Sequence, residues 1–66
     1  MGFPTINQVE ALGIKVGVTV VNEGKNRWPK GVECKVLELN DVGTVYVRDI
    51  KSGATTYLLA SDLYPY

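Results

Sequence analysis

The sequence contains no histidine and only one cysteine, and these two shortages exclude several classes of function. Without histidine, the usual general base near neutral pH and the imidazole metal ligand are both missing. A single cysteine cannot form an intrachain disulfide, and one cysteine with scattered carboxylates does not make a zinc site. We therefore predict a protein that is not an enzyme, has no metal or cofactor, and works in the reducing cytoplasm.

Long hydrophobic runs and an excess of one charge are also missing. No apolar segment approaches the ~20 residues that a helix needs to span a bilayer, so we expect no membrane association. Seven basic and seven acidic residues give a net charge of zero, which disfavours a protein that coats DNA through its whole surface. The small size would suit a phage or mobile-element accessory protein.

The centre of the sequence predicts a β-hairpin. Residues 32–39 and residues 44–50 alternate apolar and polar side chains, as strands with one buried face do. Residues 40–43 suit a tight turn, because Gly43 tolerates a positive φ. The alternation slips at Leu37, which predicts a β-bulge at that point.

Three further strands are predicted on either side of the hairpin. Residues 15–21 and residues 54–59 both alternate, and residues 64–66 suit a short last strand that pairs with the first. Residues 60–63 predict a single helical or 3₁₀ turn. The inward face of the first strand is expected to comprise three valines, Val16, Val18 and Val20.

A short helix is predicted before the strands. Thr5 and Gln8 have the spacing of a capping box, and Gly13 is a natural helix end. A helix this short is stable only when its apolar stripe docks on the rest of the fold. The chain is therefore divided into an N-terminal extension with a short helix, residues 1–14, and one compact domain, residues 15–66.

The order of these elements resembles the SH3-like small β-barrels, in particular the Tudor, KOW and bacterial SH3-like group. The resemblance covers residues 15–66 and implies an all-β fold, a five-stranded SH3-like barrel. KOW-like modules bind RNA or transcription machinery, and Tudor- and SH3-like modules bind peptides, so the resemblance implies a binding module. The residues that carry it are 15–20, 30–36, 43–48 and 59–65.

The most promising surface for a partner is the loop between the first two strands. Lys25, Arg27 and Lys30 surround Trp28, the only tryptophan. Cations beside an aromatic ring suit phosphate contact and base stacking, and the same residue types anchor protein interfaces. The alternative is that Trp28 folds back onto the core while the charges stay solvated.

A second candidate surface is the outward face of the third and fourth strands. It contains Tyr46, Arg48, Thr55 and Tyr57, which would form a stacking platform or a peptide groove if the register brings the tyrosines together. The alternative is ordinary cross-strand pairing on a solvated face. Cys34 is expected to point inward as a small, inert apolar residue.

Together these features predict a non-catalytic module that binds a macromolecule. The zero net charge favours a protein partner over nucleic acid, bound through the Trp28 loop and the neighbouring strand face. A KOW-like module that binds RNA or DNA, or that associates with transcription, is the alternative. A third possibility is a homo-oligomeric structural protein whose exposed Val21, Leu37 and tyrosine faces pair with a second copy.

Overall fold

The structure is a computed structural model that describes residues 5–66. It is mostly β, with one short helix, five strands and one 3₁₀ turn. Residues 1–4, the beginning of the predicted N-terminal extension, lie outside the described residues. In chain order the elements are α1 (Ile6–Ala11), β1 (Thr19–Asn22), β2 (Glu33–Leu39), β3 (Thr44–Asp49), β4 (Thr55–Leu59), the 3₁₀ turn (Ala60–Asp62) and β5 (Leu63–Pro65).

The five strands form one antiparallel sheet in the order β4-β3-β2-β1-β5. The predicted hairpin lies at its centre, and the predicted pairing of the last strand with the first is confirmed. Strands β4 and β5 are the two edges, and no ladder joins them within residues 5–66. The sheet is therefore not closed in this part of the chain, and the closed SH3-like barrel remains a prediction.

Strand β2 contains the predicted bulge. Val36 pairs with Val47 and Glu38 pairs with Tyr46, so Leu37 is an extra residue with no partner in β3. A bulge of this kind shifts the phase of the strand by one residue. Leu37 faces the surface, where it is 38% exposed, and the shift then leaves Glu38 outward and returns Leu39 to the core.

The capping box of helix α1 is confirmed. The Thr5 hydroxyl accepts a hydrogen bond from the Gln8 backbone N–H (3.3 Å), and the Thr5 backbone N–H donates to Gln8 Oε1 (2.9 Å). The helix ends before Gly13, whose φ is +89°. A Cβ atom at Gly13 would lie 2.9 Å from Pro65 Cγ, so glycine allows the helix end to approach β5 closely.

The first strand differs from its prediction. It begins at Thr19, because residues 15–18 form a turn in which the Val18 N–H donates to the Lys15 carbonyl (3.1 Å). Val16 is therefore 63% exposed instead of inward. Val21 is only 7% exposed, so it is not available to pair with a second copy of the chain as predicted.

One hydrophobic core holds the sheet, the helix and the 3₁₀ turn together. The inward faces predicted for β2 and β3 are confirmed, and the N-terminal segment adds two fully buried side chains, Val9 and Ile14. No helix among residues 5–66 is long and apolar enough to cross a membrane. The buried core residues are Val9, Ile14, Val20, Cys34, Val36, Leu39, Val45, Val47, Leu58, Ala60 and Leu63.

Candidate functional site

The loop that carries Trp28, residues 23–32, is named here the tryptophan loop, and Asn22 organises it. Asn22 is the last residue of β1 and is fully buried. The two N–H groups of its Nδ2 are shared among three acceptors, the carbonyls of Trp28 and Pro29, both at 2.9 Å, and Asn26 Oδ1 at 3.2 Å. Its Oδ1 accepts a hydrogen bond from Asn26 Nδ2 (2.8 Å). One buried amide therefore fixes three residues of the loop.

Backbone contacts make the tryptophan loop a defined structure. The Gly31 N–H donates to the Asn22 carbonyl (2.8 Å), which closes the base of the loop. Gly24 has a φ of +88°, and a Cβ atom there would lie 2.7 Å from Lys30 Cβ. The two sides of the loop lie against each other at this point, and only glycine tolerates both the positive φ and this close approach.

The tryptophan loop buries part of its indole and exposes its cations. Trp28 is half-buried and packs against the core, so the structure combines the two alternatives considered for this residue. Lys25 forms an ion pair with Glu23 (3.5 Å). Arg27 and Lys30 are exposed, and neither forms an ion pair within residues 5–66. The loop therefore exposes two cations without an ion pair in the described residues, close in sequence to an indole ring that packs against the core.

The second candidate surface, Tyr46, Arg48, Thr55 and Tyr57, is named the tyrosine face. Tyr46 and Tyr57 are direct partners across β3 and β4, and their ring centroids lie 4.6 Å apart with a tilt of 38°. The Tyr46 hydroxyl donates to Thr55 Oγ1 (2.9 Å), and Arg48 is the direct partner of Thr55. The register thus brings the four residues together, with the Tyr57 side chain 58% exposed.

The predicted partner-binding residues fall into two groups. The tyrosine face points away from the core, since it alternates with the buried Val45 and Val47, whereas Trp28 packs against the core. No hydrogen bond or ion pair joins the two groups in the described part of the chain. The loop group comprises Lys25, Arg27, Trp28 and Lys30, and the strand group comprises Tyr46, Arg48 and Tyr57.

A polar depression of about 400 Å³ lies between the base of the tryptophan loop and the β3–β4 turn. The pKa of Asp49 is lowered, chiefly because its carboxylate accepts the Lys51 backbone N–H (2.8 Å). This carboxylate is therefore used to cap the turn. No group of three metal-ligating side chains lies together in residues 5–66. The depression is lined by Lys30, Gly31, Val32, Glu33, Asp49 and Lys51.

Cys34 is fully buried on the core side of β2, as predicted. Burial raises the pKa of the Cys34 thiol to about 11, and the negative charge of Asp49, its direct partner in β3, adds to the increase. Because the thiolate is the reactive form, both the protonation and the burial of Cys34 make it a poor nucleophile.

We expect the native protein to resist alkylation by iodoacetamide at pH 8. With a pKa of about 11, the thiolate fraction is roughly 100-fold smaller than for an unfolded cysteine with its ordinary pKa. Native Cys34 should therefore react about 100-fold more slowly than the same chain in concentrated urea, as followed by mass spectrometry. Equal rates in the two conditions would show that Cys34 is accessible in the native fold.

Two asparagines that shape the tryptophan loop, Asn22 and Asn26, were not singled out from the sequence. The available signal was their spacing of four residues in a loop rich in turn formers, directly after an apolar strand. That spacing allows a side-chain pair but does not reveal that Asn22 is buried.

Comparison of the chain with protein-family models, with curated proteins and with solved structures finds no match.

Proposed function

We propose that the protein is a non-catalytic module that binds another protein through the tyrosine face. The proposal depends mainly on one observation, the contact between the Tyr46 and Tyr57 rings on an outward surface where Tyr57 remains 58% exposed. Tyrosine and arginine are the residue types most often found as anchors of protein interfaces, and the tyrosine face adds Arg48 to the ring pair. Two exposed leucines, Leu37 and Leu59, extend the apolar area along β2 and β4.

The hydrogen bond between Tyr46 and Thr55 favours binding because it fixes the ring before a partner arrives. A side chain that is already ordered loses less conformational entropy on association, and more of the contact energy then contributes to affinity. The exposed cations of the tryptophan loop, Arg27 and Lys30, would provide a second contact through charge.

We also propose that the sheet belongs to an SH3-like barrel. Three features support this architecture. Strand β1 pairs with both β2 and β5, the 3₁₀ turn leads directly from β4 to β5, and the turn from β2 to β3 contacts that 3₁₀ turn through a hydrogen bond from the Ala60 N–H to the Gly43 carbonyl (2.8 Å). The two edges of the sheet are thus linked by a very short connection.

The proposed protein binding is tested by affinity capture from host lysate treated with nuclease. Tyr57→Ala should lose the captured protein, because the substitution removes the exposed ring of the pair. Tyr66→Ala is the matched control, since Tyr66 is 82% exposed and forms no aromatic contact within residues 5–66. Equal capture by the two variants and the unmodified chain would contradict binding through the tyrosine face.

A nucleic-acid partner is the second candidate, because Arg27 and Lys30 are exposed without an ion pair in the described residues. In that case nuclease treatment would abolish the capture. Binding to a single-stranded oligonucleotide would weaken with salt, with a logarithmic slope of about −2 if three cations contact phosphates. The triple variant Lys25→Ala, Arg27→Ala, Lys30→Ala would lose this binding and leave a complex at the tyrosine face intact.

A further inference from the structure

The two edges of the sheet differ in the hydrogen-bonding groups that they offer. At β4, the Asp49 N–H donates to the Ala54 carbonyl (2.7 Å) and the Ala60 N–H donates to the Gly43 carbonyl (2.8 Å). These two bonds show that the even-numbered residues of this segment face β3, because hydrogen-bonding direction alternates along an antiparallel strand. The odd-numbered residues of β4 therefore direct their backbone groups away from the sheet.

Those outward residues are Thr55, Tyr57 and Leu59. None of their three N–H groups donates to another residue in the described part of the chain, and all three side chains are exposed. The edge of β4 thus presents a row of backbone donors at every second residue. Such a row binds an additional strand through main-chain hydrogen bonds.

Strand β5 offers no such row. The bonds from Tyr66 N–H to the Thr19 carbonyl (3.1 Å) and from Glu23 N–H to the Asp62 carbonyl (2.8 Å) leave Leu63 and Pro65 as the outward residues. The Leu63 N–H already donates to the Ala60 carbonyl, and proline has no N–H. This edge has no free outward donor and offers only carbonyl acceptors, so an approaching strand could form only part of a ladder.

The residue types in β4 indicate what kind of strand it would accept. Residues 54–60 carry no charge, no glycine and no proline. Edge strands of natural proteins are usually protected from pairing by lysine, proline or a bulge, and β4 has none of these protections. An uncharged strand of the same kind would meet neither an unpaired charge nor electrostatic repulsion.

We propose that the edge of β4 pairs antiparallel with β4 of a second copy of this chain. A two-fold axis at Tyr57 would place this residue opposite its own counterpart and Thr55 opposite Leu59, so that outward N–H groups meet outward carbonyls. The chain has zero net charge, so two copies approach without long-range repulsion. The product is a continuous ten-stranded sheet with a row of four tyrosines.

The expected dimer is weak and depends on concentration. Five residues are available for pairing in each copy, which gives an interface in the size class of transient complexes, below about 1,200 Å² in total. Sedimentation velocity from micromolar to millimolar protein should therefore show a shift from monomer to dimer. A chain that stays monomeric at millimolar concentration would overturn the proposal.

Leu59→Pro tests the edge itself. The φ of Leu59 is −71°, which proline adopts without strain, and its N–H has no partner in residues 5–66, so the fold should be retained. The proline ring would occupy the position from which the N–H reaches a second copy. We expect Leu59→Pro to be monomeric throughout the concentration range, while Leu59→Ala, which keeps the N–H, still forms the dimer.

Hydrogen exchange provides an independent readout at single residues. Protection of the Thr55, Tyr57 and Leu59 amides should rise with protein concentration, while the Thr56 and Leu58 amides, which face β3, stay protected throughout. Protection of the last two amides in Leu59→Pro would also establish that this variant is folded. If it is not folded, Thr55→Lys replaces it, since a charge on the edge should weaken association at least tenfold.

A dimer that persists in the folded Leu59→Pro or in Thr55→Lys would overturn the proposal, because association would then use another surface. Pairing at the β4 edge does not require a protein partner at the tyrosine face. Tyr57→Ala separates the two proposals, because it removes the exposed ring but keeps the N–H and carbonyl of the edge: we expect it to lose capture by the tyrosine face and still to form the dimer.

Discussion

Asn22→Asp is expected to remove a large part of the protein's stability at neutral pH. The substitution replaces the Nδ2 donor by an oxygen. In the unmodified chain, Nδ2 lies 2.9 Å from the carbonyl oxygens of Trp28 and Pro29 and 3.2 Å from Asn26 Oδ1, so the new oxygen would face three acceptors. The new carboxylate keeps one donor, Asn26 Nδ2, but its second oxygen faces only other oxygens, and a buried charge without full compensation costs about 3–5 kcal/mol. The whole fold of 66 residues has a free energy of unfolding of only about 3–10 kcal/mol.

The defect of Asn22→Asp should become smaller as the pH falls. Burial among oxygens raises the pKa of the new carboxyl in the folded state above its unfolded value, so folding favours the protonated form. The destabilisation is therefore complete well above the folded pKa and is relieved as the pH falls toward the unfolded value near 4. Urea unfolding of Asn22→Asp and of the unmodified chain between pH 4 and pH 7 measures this difference.

Asn40→Asp is the matched control for this experiment. Asn40 is half-buried, and its Nδ2 donates to the Thr44 hydroxyl (3.3 Å). A hydroxyl can rotate and donate to the new carboxylate, so Asn40→Asp should change the free energy of unfolding by less than about 1 kcal/mol. Similar losses in the two variants would show that the Asn22 network does not specifically hold the tryptophan loop.

Ile14→Ala is expected to destabilise the fold by about 2–5 kcal/mol, the usual effect of removing a large aliphatic side chain from a core. Ile14 is fully buried although it lies in the connection between helix and sheet. Its side chain and that of Val9 are the main contribution of the N-terminal segment to the core. Thermal unfolding followed by circular dichroism should show a clear fall in the midpoint.

Val16→Ala, two residues away, is the control for Ile14→Ala. Val16 is 63% exposed, so its truncation should change the free energy of unfolding by no more than about 0.5 kcal/mol. From the sequence alone, Val16 is predicted to be a core residue, because it shares the inward face of the first strand with Val18 and Val20. A large loss in Val16→Ala would mean that the strand extends through residues 15–18 after all.

Local sequence signals were sufficient for the hairpin, the bulge and the helix. The alternation in β2 and β3 depends on neighbouring residues only, and the slip at Leu37 marks the bulge directly. The capping box between Thr5 and Gln8 is equally local. These elements could be predicted because the signal for each lies in a short stretch of the sequence, even where the pairing itself joins residues as far apart as Cys34 and Asp49.

The features that sequence analysis missed depend on contacts between distant residues. The turn at residues 15–18 exposes Val16, and alternation by itself does not locate such a turn. Val21 is buried beside the inward-facing Val20, which alternation does not predict either. The burial of Asn22 follows from the path of the tryptophan loop. For the tyrosine face, the residue types were visible, but the 4.6 Å ring contact required the register of β3 on β4.

The contrast between the two edges has a consequence for solubility. Pro65 has no N–H and the N–H of Leu63 is already bonded, so β5 has no free outward donor, and a molecule joined to a neighbour through β4 has only a three-residue edge of acceptors left for further pairing. We therefore expect the proposed pairing through β4 to stop at two chains. Substituting Pro65 by a residue with an N–H would give this edge a free donor, and we expect such a variant to form longer assemblies or fibres.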